Sequence, residues 1–392
     1  MERRPMRITS LFSGVRLRST KIAIAAPQKV ASVAKSCVTK MIVDPWSVSP
    51  EAVDALAAQF FAASLFPYLG FLYYLGRDEV KCPKLANFGF RFLLVFVFAT
   101  IPAGIYAKVH YHDILANIDW LHGGAESLLT ITNLLIVLGF RGAMTPNVID
   151  AVPTESAKTE ESPMRMNSTI VPALITSLGS FLSLAALGSL HVEPANALSF
   201  PTWVIHVSSL VEWLVAMGLV WKYAEVTDNP AWKGLTWGML PLHTSGICAC
   251  TYHLFYNAPS LNILVALQAA LTFFGNGTLV AAAYRISRSE KKTMAAHKSV
   301  SSQSEKRNIS LVGFEDLAVQ LQQDSNAKFL LKLFGISCVG SALVKWGSLA
   351  IDAPFEPTLA LSLSIIVIPT VLNMAKWAVR SNKEMSDFGG FL

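Results

Sequence analysis

Charge is scarce in this chain. Only 15% of its 392 residues are Asp, Glu, Lys or Arg, and the mean hydropathy is +0.45. Soluble domains carry roughly 25% charged residues, so this composition excludes an ordinary soluble globular fold. Cysteine is scarce as well. The five cysteines, at 37, 82, 248, 250 and 338, are too few and too scattered for a disulfide framework. The spacing of Cys248 and Cys250 is not that of a metal-binding pair. Walker, GxGxxG, GxSxG and HExxH signatures are absent, which removes the sequence basis for several large enzyme classes. The chain reads as non-enzymatic.

What the chain has in abundance is long apolar runs. Nine of them cover about 54–75, 88–109, 121–140, 168–188, 203–223, 234–256, 260–284, 327–350 and 357–379. Each is about long enough to cross the hydrocarbon of a bilayer as a helix. Backbone polar groups in lipid must be satisfied within the segment, and the runs lack the alternation of barrel strands, so helices are required. The expected fold is all-α and polytopic, with about nine transmembrane spans in three blocks.

Lys and Arg fall on every second connection. Segments 41–53, 110–120, 189–202, 257–259 and 351–356 have none, whereas 76–87, 141–167, 224–233, 285–326 and the C-terminal tail all carry them. Basic loops stay on the side of synthesis, the cis side. The alternation therefore groups the connections by side and places the C-terminus cis and the mature N-terminus trans.

Residues 1–43 read as an organelle transit peptide, rich in Ser, Thr, Ala and basic residues. The first 40 residues hold nine Lys or Arg and a single acid, Glu2; the remaining 23 basic and 25 acidic residues leave a net of −2. The basic excess thus belongs to the presequence and is no argument for nucleic-acid binding. The three-helix block 44–143 is followed by an acidic, Ser/Thr/Pro-rich stretch, 144–167, expected to be a disordered linker. A four-helix block, 168–286, comes next, then a basic Ser-rich linker, 287–308. The last part, 309–392, combines an amphipathic segment with two spans. Ala195-Asn196-Ala197 follows a basic flank and an apolar run on the trans side, the pattern of a peptidase site with cleavage after Ala197; an uncut helix fits the same residues.

Charged and polar groups inside a span cost about 2.5–3.5 kcal/mol on insertion scales, so each one is a functional candidate. Glu212 sits near the middle of the fifth run. His206 is six residues earlier, about 9 Å along the axis and 120° around it, so the two do not pair directly. His206, Glu212, His243 and His253 form a candidate cofactor-binding set, for axial ligation of a tetrapyrrole or for a quinone. Gln268 and Asn276 of the seventh run join them as a polar cluster. In the first block His122 and Glu126 share a helical face at i, i+4, suited to a proton relay, a weak divalent site or an interfacial salt bridge. No metal site is assigned. Lys345 is expected to snorkel to the interface or pair with Asp352. A helix-packing hydrogen-bond network accounts for the same polar residues.

Two stretches carry a resemblance. SLFPYLGFLYYLGR and FVFATIPAGIYAKVHYHDILANIDWLHGGAES, within residues 60–141, resemble a membrane domain of unknown function shared by cyanobacteria and plastids. PTWVIHVSSLVEW, NPAWKGLTWGMLPL and CACTYHLFYN, within 197–284, are similar to the hypothetical chloroplast reading frame 49 family, with His243 standing where an apolar residue is expected. Residues 310–380 look like the C-terminal part of related green-plastid proteins. The resemblance implies a chloroplast membrane, with cis the stroma and trans the thylakoid lumen or intermembrane space. It implies no catalytic residues. The resulting expectation is an auxiliary scaffold for photosynthetic membrane complexes, contacting the bilayer and other plastid membrane proteins. A small-solute or proton carrier centred on Glu212 and His206, and a tetrapyrrole- or quinone-binding protein, are the alternatives.

Overall fold

The computed structural model describes residues 49–144, 193–194, 196–296, 317, 321, 324–351 and 356–387. The expected transit peptide, the fourth apolar run and most of both expected linkers lie outside these residues. Among the described residues eight long helices form and no strand occurs. They are α1 (Pro50–Leu75), α2 (Lys84–Tyr106), α3 (Asp119–Ala143), α4 (Phe200–Val226), α5 (Lys233–Leu254), α6 (Ile263–Ala296), α7 (Asn326–Ile351) and α8 (Leu359–Asp387).

Local sequence explains the boundaries. The Ser49 hydroxyl accepts from the Ala52 amide at the start of α1, and the Ser199 hydroxyl from the Thr202 amide at the start of α4, with a proline in the first turn of each. A π turn over Ala107–Tyr111 extends α2 before His112 ends it in the left-handed region at φ 57. Prolines 67, 102, 241 and 369 lie inside helices; neighbouring helices make such breaks tolerable in a membrane.

Seven of the helices are long and apolar enough to cross a membrane. The exception is α5, where His243, Thr236, Thr244, Ser245 and Pro241 dilute the apolar run. Twelve of its 22 residues are buried, so its polarity is shielded by protein rather than by lipid. Among the described residues there are thus seven candidate spans, against the nine expected. Helix α6 also continues to Ala296, ten residues into the stretch expected to be linker.

Helices α3 and α4 pack on each other at the centre. Helix α2 lies against α3, α7 against α4, and α5 against both α4 and α6; α1 runs along α6, and α8 rests on α5. The connections grouped by their lack of basic residues meet at one end. There Ser199 donates to Asp119, Asn196 to the Tyr256 carbonyl, Asn257 to the Ala116 carbonyl, and Ser260 to the Pro357 carbonyl. At the other end Tyr223 reaches the Lys81 carbonyl, and the buried Arg141 guanidinium bonds the carbonyls of Leu321 and Asp324 and the Asn326 side chain. Leu317 and Leu321, one turn apart in the expected amphipathic segment, pack on the bundle here.

The half of the bundle near Arg141 is dry. Phe71, Phe90, Ile136, Phe140, Met217, Leu219, Trp232, Leu235, Phe329 and Trp377 are all within 1% of complete burial. Small residues let backbones approach closely. A Cβ on Gly139 would collide with the backbone of Ala86, so α2 and α3 touch at a contact only glycine permits.

Candidate functional site

The polar end of the bundle holds three buried histidines. His122 comes from the first turn of α3, His206 from the second turn of α4 and His253 from the last turn of α5. The Nε2 atom of His122 lies 3.2 Å from Nε2 of His206 and 3.2 Å from Nε2 of His253. The three ring centroids are 4.9–5.0 Å apart. All three residues are at least 92% buried, with exposures of 6–8%.

The surroundings set the ring orientations. His206 Nδ1–H donates to the Thr202 carbonyl one turn earlier, at 2.9 Å. His253 Nδ1 is 2.8 Å from Asn257 Oδ1. The Asn257 amide nitrogen donates to the Ala116 carbonyl and to Asn117 Oδ1, which fixes Oδ1 towards the imidazole and makes His253 Nδ1 the donor. Tyr256 and Asn257 hold φ of 53 and 55, and this left-handed turn folds Asn257 back over the end of α5. Gly123 completes the approach: a Cβ there would stand 2.6 Å from the Thr202 hydroxyl, so α3 closes on α4 at the level of the histidines because the side chain is missing.

Below the cluster a polar seam runs down the α3–α4 contact. Glu126 is one turn beyond His122 and within electrostatic range of Cys250. Thr130 hydrogen bonds the Ser209 hydroxyl and the Ile205 carbonyl, and Asn133 donates to the Ser209 carbonyl. Glu212 lies near this depth, 3% exposed, with its Oε2 unbonded among the described residues. Beyond it the seam meets Ile136, Val137, Phe140, Val215 and Val220, all fully buried apolar side chains.

The candidate residues divide accordingly. His206 and His253 meet, and His122 of the first block joins them in place of the other members of the expected set. His243 is ten residues from His253 on the same helix, and its ring lies near the Leu210 backbone rather than in the cluster. Glu212 does not reach the imidazoles. Asn276 donates to the Ser64 carbonyl and ties α6 to α1. Gln268 takes part through its backbone carbonyl, which accepts from Ser245. Lys345 corrects the expected pairing with Asp352: its ammonium, 3% exposed, bonds both Glu193 oxygens at 2.7 and 2.8 Å and the Leu198 carbonyl at 2.7 Å. Ala197 is half-buried, with its amide on the Pro194 carbonyl, and Leu198 is buried beside it. Thr202, Asn257 and Gly123, which orient the imidazoles, were not among the candidates; the i, i+4 spacing of His253 and Asn257 is the signal that marks one of them.

Chemically, the cluster presents imidazole nitrogens at mutual distances that leave no gap for a macrocycle between the rings. It suits a small cation far better than axial ligation of a tetrapyrrole.

Comparison with known proteins divides the chain at the same place as the site. Residues 57–145 match the model of a family described as a protein of unknown function, DUF3593, and residues 197–285 match a second such family, DUF2499. The Ycf49-like protein of Synechocystis sp. is 50% identical over 100 residues, which cover 96% of that protein and 26% of this chain. The chain belongs to the Ycf49-like family. The uncharacterized protein ycf49 of Cyanophora paradoxa is 37% identical over 84 residues, 82% of its length and 21% of this chain. No solved structure matches. His206 and His253 fall in the DUF2499 segment, whereas His122 falls in the DUF3593 segment. The cluster is therefore built jointly by two domains that belong to different families.

Proposed function

We propose that this Ycf49-like chain is a non-enzymatic auxiliary scaffold in the biogenesis or maintenance of photosynthetic membrane complexes. It resides in the chloroplast membrane, the thylakoid in preference to the inner envelope, with a lumenal N-terminus and a stromal C-terminus. In this reading α5 and the run 168–188 also cross the bilayer, giving nine spans.

One observation carries the reading: the intramembrane polar groups bond neighbouring helices and stop at a closed apolar core. Asn133, Asn276, Trp213, Thr236, Ser245 and Ser341 each donate to a backbone carbonyl on another helix. Such bonds hold helices together in lipid, where apolar contact alone gives little preference for protein over solvent. The seam that starts at the histidines ends near Glu212 against fully buried side chains. A carrier needs access from both faces, and this arrangement favours a rigid body instead. The lineage of the relatives supports the membrane system.

The test is affinity purification of the full chain from plastid membranes in mild detergent, with co-eluting proteins identified by mass spectrometry. Stoichiometric photosystem, cytochrome or translocase subunits are the expected result. A protein that elutes alone, together with solute or proton flux in vesicles that Glu212→Gln abolishes, would replace the scaffold reading with the carrier.

A further inference from the structure

We infer that His122, His206 and His253 form a binding site for one divalent transition-metal ion of the zinc type, which clasps the two domains of the chain to each other.

The first argument is geometric. Imidazole nitrogens bind such ions at about 2.0–2.1 Å, and at a tetrahedral angle two of them stand about 3.3 Å apart. Both Nε2 separations from His122 are 3.2 Å, and all three donor atoms lie within 4.8 Å of one another. Two of the three separations thus match a tetrahedral site directly, and the third donor is close enough for one ion to reach all three.

The second argument counts protons. The Nδ1–H of His206 and that of His253 are committed to oxygen acceptors, the Thr202 carbonyl and Asn257 Oδ1. In the neutral rings both Nε2 atoms are then bare lone pairs. His122 Nε2 has at most one hydrogen to offer, and it faces two acceptors at equal distance. Protons on the three rings therefore leave at least one buried acceptor without a donor from the cluster, a costly arrangement away from the surface. A cation at the centre satisfies all three lone pairs at once.

The third argument is the support around the ligands. Metal-binding histidines are held in the correct tautomer by hydrogen bonds from the other ring nitrogen. Here that support is two layers deep, running from His253 to Asn257 and on to the Ala116 carbonyl and Asn117. The Asp119 carboxylate acts electrostatically on His206 and adds negative charge to the neighbourhood. Imidazole donors suit Zn2+, Cu2+, Fe2+ or Ni2+ and disfavour Mg2+ and Ca2+, which require oxygen. Three protein ligands leave a fourth position for water or a further donor.

The clasp follows from where the ligands come from. His122 lies 84 residues from His206 and 131 from His253 in sequence, and it belongs to a different domain family from both. An ion held by all three couples the closing of α3 onto α4 and α5 to metal binding.

The experiment uses the full-length protein, purified in mild detergent with a tag that contains no histidine. It is stripped with chelator, exposed to Zn2+ or Co2+, desalted, and measured by plasma mass spectrometry. About one ion per chain is expected, with the visible absorption of tetrahedral Co2+. His122→Ala should remove both, and Asn257→Ala should weaken affinity about 10–100-fold with helix content unchanged. His243→Leu and His110→Ala should bind as the wild type does. Zn2+ should raise the Tm of the wild type and leave that of His122→Ala unmoved. Less than a tenth of an ion per wild-type chain would overturn the site, as would equal uptake by His122→Ala. Loss of folding in His122→Ala leaves the wild-type Co2+ spectrum and the Asn257→Ala affinity to decide, and an octahedral spectrum or unchanged affinity would reject it.

Discussion

Helices α3 and α4 differ sharply from α2 and α8, although all four are apolar enough to span a bilayer. The first two have 67% of their spans buried within the protein, the last two only 6% and 11%. The inner pair carries His122, Asn133, Arg141, His206 and Glu212, all buried. The outer pair presents Val95, Phe98, Ile101 and Ile105, and Val367, Ile368, Val371 and Leu372, all exposed. In water burial favours apolar side chains; in lipid the preference inverts, because only the protein interior offers partners to polar atoms. Polarity within the apolar runs is thus a guide to which helices are central.

The strongest challenge to this contrast is a charge on a helix that is mostly outward-facing. Helix α7 is 22% buried across its span, yet it carries Lys345 against Glu193. Lys345→Ala leaves the carboxylate without its partner and should cost about 3 kcal/mol, read as a lower Tm in detergent. Glu193→Gln in the same chain should recover part of the loss. Next, Phe98→Lys puts a charge on the outer face of α2 and should cost about 3 kcal/mol of insertion, seen as reduced membrane-integrated protein; Phe98→Leu should be silent. The two classes of glycine come third. Gly139→Ala forces α2 from α3 and should cost about 2 kcal/mol, whereas Gly104→Ala, with open space around it, should leave the Tm unchanged. Asn276→Ala removes one interhelical bond to Ser64 and should cost about 1 kcal/mol or less. The smallest effect lies outside the membrane. Lys332, at 2.6 Å, holds the Asp324 carboxyl below its ordinary value of 3.8. A lowered carboxylate contributes above its unfolded value and loses that contribution as pH falls through the folded one. Asp324→Asn should therefore lower Tm slightly at neutral pH, and the difference should vanish in strong acid.

Much of the fold was legible beforehand. Eight of the nine apolar runs are helices, and the ninth, 168–188, lies outside the described residues. The connections without Lys or Arg do gather at one end. Helix α5 was harder to weigh, because its polar residues are visible in sequence and its burial is not. The site was half legible. His122, His206 and His253 each sit within a few residues of the same end of their runs, so their depth could be read from the alternation. Their lateral convergence could not. Glu212 and His243 looked equally costly in sequence, but the faces that carry them turn to other neighbours.

The sequence by itself determined the class of the protein, its helices and which connections share a side, because a bilayer leaves the backbone only one local solution and charge restricts where loops remain. The tertiary structure alone decided which polar residues meet. Helix rotation and separation are set by contacts such as Gly123 on Thr202 and Gly139 on Ala86. These pair residues far apart in the chain through steric fit, a property no single run's periodicity encodes. That fit brings one histidine of the first domain to two of the second.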